Sequence, residues 1–374
     1  MRGIGLKIQS FCINHYRSVD KELLNGILIL LLFGLFLTFA ASPGVAERNH
    51  YEPYHFIKRQ LVFIGPAVFT MILTAFLSFK SVRRLSGLIL LGALVGMVCV
   101  LLFGVEVKGA SRWLNIGPIG VQPSEFMKPA FAVVCAWLLA SGRLIRQFPG
   151  YILSFVLFGI IAVLLFSQPD IGMLLTVSAI FGVQLFLSGI PIAFVGILGG
   201  ILVSGVVMAY FVFDHVHTRI NRFLNPAQDE AYQVVKSMET LKNAGWFGKG
   251  PGEGVVKYEL PDAHTDFILA VSAEEFGFII TAVLVLAFAY IILRGFWLMR
   301  GENNLFCQIA VGGLLTQIAF QAIVNMGSTL NLLPTKGMTL PFISYGGSSL
   351  VSIGFAFGAI LALTKRHTLS RGLE

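Results

Sequence analysis

The sequence predicts an all-α polytopic membrane protein of about ten transmembrane helices, with a large extracytoplasmic loop between the seventh and eighth. Three observations predict it. Hydrophobic residues fill 56% of the 374 positions and charged residues only 12%, where a soluble domain carries about 25% charged residues. The apolar residues gather into runs near 23–41, 60–79, 85–104, 126–142, 151–167, 171–189, 191–213, 267–294, 305–328 and 341–363, close to the about 20 residues that a spanning helix needs. With the N-terminus placed in the cytoplasm, the inside segments hold 14 Lys and Arg and the short outside ones 6, the positive-inside bias of a chain with both termini inside.

Taken in order, residues 1–22 form a cytoplasmic N-terminus carrying Arg2, Lys7, Arg17 and Lys21. The run 23–41 is longer than the roughly 7–15 residues of a signal-peptide core and is expected as an uncleaved first span. Backbone polar groups in lipid must be paired locally, so each run is expected as a helix. The alternation of a membrane barrel strand is absent. The run 267–294 exceeds one crossing and is expected to tilt or to begin outside the bilayer. The loop 214–265 votes little on orientation because long loops translocate largely regardless of charge. Inside it, Ala231–Asn243 reads as a short amphipathic helix lying along the interface. Residues 364–374 form a cytoplasmic C-terminus, and 1–374 is expected as a single membrane domain.

The net charge of +8 reflects the positive-inside bias and an anionic membrane surface rather than a nucleic-acid partner. Cys12, Cys99, Cys135 and Cys307 form no CxxC pair and are expected as small hydrophobes.

Ionisable groups at membrane depth are expensive, so each is a functional candidate. In Gln122-Pro123-Ser124-Glu125-Phe126-Met127-Lys128, Glu125 and Lys128 share a helix face. They serve either a cavity mouth or a mutually neutralising pair that tightens packing. Ser124 and Lys128 are one residue off the Ser-x-x-Lys spacing of acylating enzymes, which sets a serine nucleophile aside. Asp266 lies where the polar loop meets an apolar span. Desolvation there raises a carboxylate's pKa and makes it a better base, while a helix cap is the alternative role. Glu274 and Glu275 follow about two turns deeper, available to pair with Lys128 or an arginine. Lys336 offers a compact charge for a phosphate. Ser344, Gly346, Gly347, Ser348 and Ser349 suit close helix packing. Gly248-Lys249-Gly250-Pro251-Gly252 lacks the context of a phosphate loop. Asp214, His215 and His217 are a weak metal signal, and no metal ligand is assigned. Arg219 and Arg222 could form an anion clamp or face lipid headgroups.

These motifs together resemble the SEDS family (shape, elongation, division and sporulation) over nearly the whole chain. The strongest pieces are KGASRW at 108–113, QPSEFMK at 122–128, QPDIG at 168–172, LPDAHTDFILAVSAEEFG at 260–277 and LPTKGMTLPFISYGGSSL at 333–350. The last wording looks like the division branch rather than the elongation branch. Lys257-Tyr258-Glu259 departs from the family's commoner wording. The resemblance implies ten spans, a large outward loop after the seventh, and peptidoglycan glycosyltransferase activity on lipid II in septal wall synthesis. It implies that Asp266 is the catalytic residue and that Glu125, Lys128 and Lys336 occupy cavity positions. It also implies a class B penicillin-binding partner, other division proteins, and an inner-membrane, septal location.

On that expectation Asp266 takes the proton from a sugar 4-hydroxyl as it attacks the anomeric carbon of a second lipid II. Lys128, Lys336, Arg112 and Arg219 would stabilise the pyrophosphate leaving group, with Glu125, Glu274, Glu275 and Ser344 around the substrate. No cofactor is assigned, and a divalent cation, Mg or Mn, could share that work. The rivals are a lipid II flippase, a non-catalytic division scaffold, and an elongation-type polymerase. A flippase needs charges along a midplane path, whereas here they gather near the outer side.

Overall fold

The computed structural model describes residues 18–107, 110–117, 119–212, 217–218, 221, 232–260, 262–334 and 337–365. Seven apolar helices come first: α1 (Lys21–Arg48), α2 (His55–Phe76), α3 (Phe79–Phe103), α4 (Pro123–Leu144), α5 (Gly150–Ser167), α6 (Ile171–Leu187) and α7 (Ile192–Val212). Two short polar ones follow, α8 (Tyr232–Asn243) and α9 (Val256–Glu259). Then come α10 (Ile268–Arg300), α11 (Leu305–Thr329) and α12 (Gly347–Leu363). Eight helices are long and apolar enough to cross a membrane, and α6 and α12 are shorter apolar helices.

Local sequence sets many of the starts. Asp20, Ser78, Asp170 and Asn304 each accept a backbone N–H in the first turn of the helix they precede, satisfying a donor that helix geometry leaves open. Asp20 is also gripped by Arg294, at 3.2 Å from Nε and 2.7 Å from Nη2. That fork ties α1 to the far end of α10.

Three differences from expectation have physical causes. The loop after α3 contains a small antiparallel sheet, β1 (Val105–Val107), β2 (Ala110–Ile116) and β3 (Ile119–Val121), with Val105 opposite Trp113 and Leu114 opposite Val121. The run 267–294 is not one smooth helix, because Gly277 sits at φ 79° and ψ 179° and splits α10 in two. The last helix begins at Gly347 rather than at 341. Residues 341–346 instead form a turn containing Phe342 at φ 61°, and Pro341 cannot donate to a helical ladder.

α4 and α11 are the most enclosed of the long helices, at 72% of their apolar windows. α4 touches α3, α5, α6, α11 and α12, and α11 touches α6, α10 and α12. α12 lies along α2 at close range. A Cβ at Gly354 would come 2.4 Å from Ala67 O, and one at Gly358 2.5 Å from Met71 O. Lipid supplies little hydrophobic drive between helices, so small residues that admit close van der Waals contact hold such a pair. α7 packs on α6 and otherwise faces outward.

Candidate functional site

Asp266 ends a turn in which Asp262, at φ 56°, directs its carbonyl to the N–H groups of Thr265 and Asp266 at 3.0 and 3.1 Å. The cap position of α10 falls on Phe267 and has no side-chain cap hydrogen bond. The cap position thus falls one residue after Asp266. The side chain is half-buried. A Cβ at Gly337 would lie 3.9 Å from Asp266 Oδ2, so the carboxylate faces the 337–346 segment.

That segment and α11 hold the turn from two sides. Asn325 Nδ2 donates to Asp266 O at 3.2 Å and to Met338 O at 2.7 Å. Thr329 Oγ1 reaches Asp266 O at 3.4 Å. Ser344 Oγ donates to Thr265 O at 2.6 Å and accepts from Leu340 N at 2.9 Å. Tyr345 N donates to His264 O, and the His264 ring sits 4.3 Å from the Phe56 ring and 5.2 Å from Tyr345. Ser344 thus acts on the backbone beside Asp266, with its proton committed to Thr265. Asn325 and Thr329 belong to a buried polar row, Gln317, Gln321, Asn325 and Thr329. The row's spacing of four inside an apolar run is a sequence signal that singles it out.

Glu274 and Glu275 are fully enclosed and pair with neither Lys128 nor an arginine among the described residues. Glu274 Oε1 accepts from Lys249 Nζ at 2.9 Å and from Val255 N at 2.8 Å. Glu275 Oε1 lies 2.6 Å from Lys257 Nζ, and its Oε2 accepts from Gly252 N at 3.1 Å. Lys257 also donates to Gly252 O and to Ala40 O on α1. The two glutamates thus fasten the 249–257 stretch onto the bundle beside Asp266. The glycines of this stretch permit the contact: Gly248 and Gly277 approach so closely that a Cβ on either would come 2.4 Å from backbone. Beside it, Lys236 of α8 bridges Glu239 and Glu259, and the Glu259 contact holds its ammonium above the usual lysine range.

Glu125 and Lys128 stand in the first turns of α4, with Nζ 2.9 Å from Oε2 and side chains 6% and 0% exposed. The contact is off-line, so Lys128 Nζ and Glu125 Oε2 make no hydrogen bond among the described residues. Ser352 donates to Glu125 O and Ser348 accepts from Gln122 N, so the serines of α12 pin this turn. Arg112 is held elsewhere, with contacts to Gln168 O, Pro169 O and, at 3.5 Å, Asp170 Oδ2. Lys336, Arg219, Asp214 and His215 lie outside the described residues. Among the described residues no three His, Cys, Asp or Glu side chains gather to hold a metal ion. An apolar groove of about 670 Å³ opens on another side of the bundle, lined by residues including Phe158, Phe166, Leu174, Phe186, Leu198 and Phe320.

Fold and site together define an integral membrane protein of bundled helices, with a half-buried aspartate gripped by its backbone at one end. The sequence profile of the FtsW/RodA/SpoVE family, described as a cell cycle protein, matches residues 21–369. The chain belongs to that family. It is 40% identical to a probable peptidoglycan glycosyltransferase FtsW of Caulobacter vibrioides, covering 94% of this chain and 90% of that one. A protein of the same description from Trichlorobacter lovleyi is 35% identical over 92% and 93% of the two chains. Among solved structures, it resembles a chain of a peptidoglycan synthase complex that coordinates polymerization and crosslinking, with TM-score 0.76, 27% identity and 93% and 98% coverage. It also resembles the Thermus thermophilus rod shape determining protein RodA, with TM-score 0.69, 26% identity and 93% and 97% coverage.

Proposed function

We propose that this chain is a peptidoglycan glycosyltransferase that polymerises lipid II during septal wall synthesis, with Asp266 as general base. One observation carries the reading. The Asp266 carboxylate stands half-buried in the turn before α10, where α11 holds its own carbonyl and the 337–346 segment holds that of the neighbouring Thr265, as a base needs if it is to meet a hydroxyl in a set geometry. The family and the relatives' descriptions support the reaction type.

The acceptor's 4-hydroxyl gives its proton to Asp266 as its oxygen attacks the anomeric carbon of the donor. The undecaprenyl pyrophosphate leaves, and direct displacement inverts that centre. Lys128, a buried ammonium with unused donors, is the described cation best suited to the developing pyrophosphate charge. Lys336, next to Gly337, and Arg219 are proposed beside it. Arg112 supports the sheet and the 168–170 corner. Glu274 and Glu275 act by fastening the loop, and Ser344 by holding Thr265. The apolar groove suits a polyprenyl chain that must stay in lipid.

The remaining assignments belong to the same proposal. All ten apolar helices cross the inner membrane, with both termini in the cytoplasm. The 214–265 loop and Asp266 face outward, and the protein works at the division septum. The working partner is a class B penicillin-binding protein, alongside other division proteins.

The test is polymerisation of purified lipid II by the full-length protein, alone and with its class B partner, beside a folded Asp266→Ala variant. Glycan strands from wild type and none from the variant are expected. Equal product from both removes Asp266 as the base. No product from wild type with its partner present overturns the polymerase reading.

A further inference from the structure

The turn at 244–249 sits where α10 breaks, and its backbone completes the helix on the far side. Phe278 N donates to Gly245 O at 3.0 Å, and Ile279 N to Trp246 O at 3.3 Å. These are the first amides of the 278–300 half, which have no partner within their own helix. Amides inside hydrocarbon must be paired. The loop backbone at 245–246 therefore does for these amides what a preceding helical turn would do.

Beyond the break the helix shows an apolar outer side. Phe278, Val283, Leu286 and Leu293 are 59–68% exposed in the isolated chain, and lipid is the solvent that such a face requires. The turn continues this side. The Trp246 ring meets Phe278 edge-on at 5.6 Å and 88°. Gly245 at φ 64° and Gly248 at φ 74° shape a tip that leaves Trp246 66% and Phe247 82% exposed. Lys242 and Lys249, both exposed, flank it.

We propose that Trp246 and Phe247 form a wedge seated in the lipid headgroup region at the Asp266 end of the bundle, and that this wedge sets the height of the Asp266 turn relative to the bilayer. A Trp ring prefers that level because its body is apolar and its N–H needs a polar partner. Lys242 supplies the charge that suits anionic headgroups. The height is transmitted because the same turn grips the other half of α10. Lys249 N donates to Glu274 O at 2.8 Å and Gly250 N to Glu275 O at 3.0 Å, and Asp266 lies just before that half begins.

The inference rests on the membrane fold and not on the proposed reaction, so its test reads lipid contact rather than turnover. The full-length protein is reconstituted in phosphatidylcholine vesicles with a minor fraction of phosphatidylglycerol. Subtracting the fluorescence of Trp246→Phe from that of wild type isolates the Trp246 emission. A ring about 5–10 Å into the headgroup–acyl boundary is quenched at least about twofold more by lipid brominated near the carbonyl end than by lipid brominated near the chain terminus, and little by aqueous iodide. Phe247→Asp lowers the shallow quenching. Strong iodide quenching with silent brominated lipids places the ring in water and overturns the wedge. Protection from both quenchers means that protein, such as a second copy of the chain, covers the turn, and overturns it equally.

Discussion

Replacing Lys257 with methionine keeps most of the side chain's volume and removes its charge. In the native protein the ammonium is 1% exposed and lies 2.6 Å from a Glu275 carboxylate that is fully buried. It also satisfies Gly252 O at 2.9 Å and Ala40 O at 3.2 Å. Removing one partner of such a buried pair costs about 3–5 kcal/mol, because the other charge is stranded. Glu275 keeps only the Gly252 N–H, which is itself part of the loop that would release. The lower figure, about 3 kcal/mol, raises the population of the opened loop roughly 100–200-fold, since 1.36 kcal/mol is tenfold. Tryptic cleavage at the Lys249–Gly250 bond reads that population when opening is fast relative to cutting. Circular dichroism checks that the bundle is intact. Glu275→Gln costs less, about 1.5–3 kcal/mol, because the ammonium keeps two carbonyls and can still meet an amide oxygen. The double variant Lys257→Met/Glu275→Gln resists trypsin better than Lys257→Met alone, since no charge is left stranded. Cleavage of Lys257→Met at the wild-type rate, or a double variant no better protected than the single, would refute the view that this ion pair fastens the loop.

The grip on Asp266 makes a kinetic prediction. Asn325→Leu removes both donors to the Asp266 and Met338 carbonyls, and misplacement by about 1 Å costs roughly 100-fold in rate. Lipid II turnover should show a kcat lowered about 10–100-fold with KM little changed; unchanged kcat sinks the positioning role. Gly277→Ala places a Cβ 2.4 Å from the Gly248 nitrogen at a φ of 79°, so it should cost about 2 kcal/mol or more. A lowered melting temperature in detergent is expected, and an unchanged one removes the argument that the α10 break needs glycine.

The sequence by itself determined the helices and their order. Apolar length and composition are local properties, and lipid leaves a spanning segment no other backbone solution. That is why the runs at 151–167 and 305–328 became helices within a residue or two of their expected ends. It also singled out Glu125, Lys128, Glu274 and Glu275, and the folded chain buries all four. The i, i+3 reading of Glu125 with Lys128 held because helix geometry fixes which residues share a face.

Only the tertiary structure decided what each group meets. Glu274 and Glu275 carry the same sequence signal as Asp266, yet Lys249 and Lys257 consume both of them. Those partners sit in a loop whose path depends on the turn at Gly248 and the break at Gly277. The cap position of α10 falls one residue beyond Asp266, after a turn whose backbone is held by Asn325, Thr329 and Ser344 from segments some sixty to eighty residues away in the chain. Arg112 is drawn to the corner at 168–170 for the same reason. Hydropathy and period report how one segment meets its solvent. The partner of a buried charge is chosen by which distant segments come within hydrogen-bond reach, and only the folded chain fixes that.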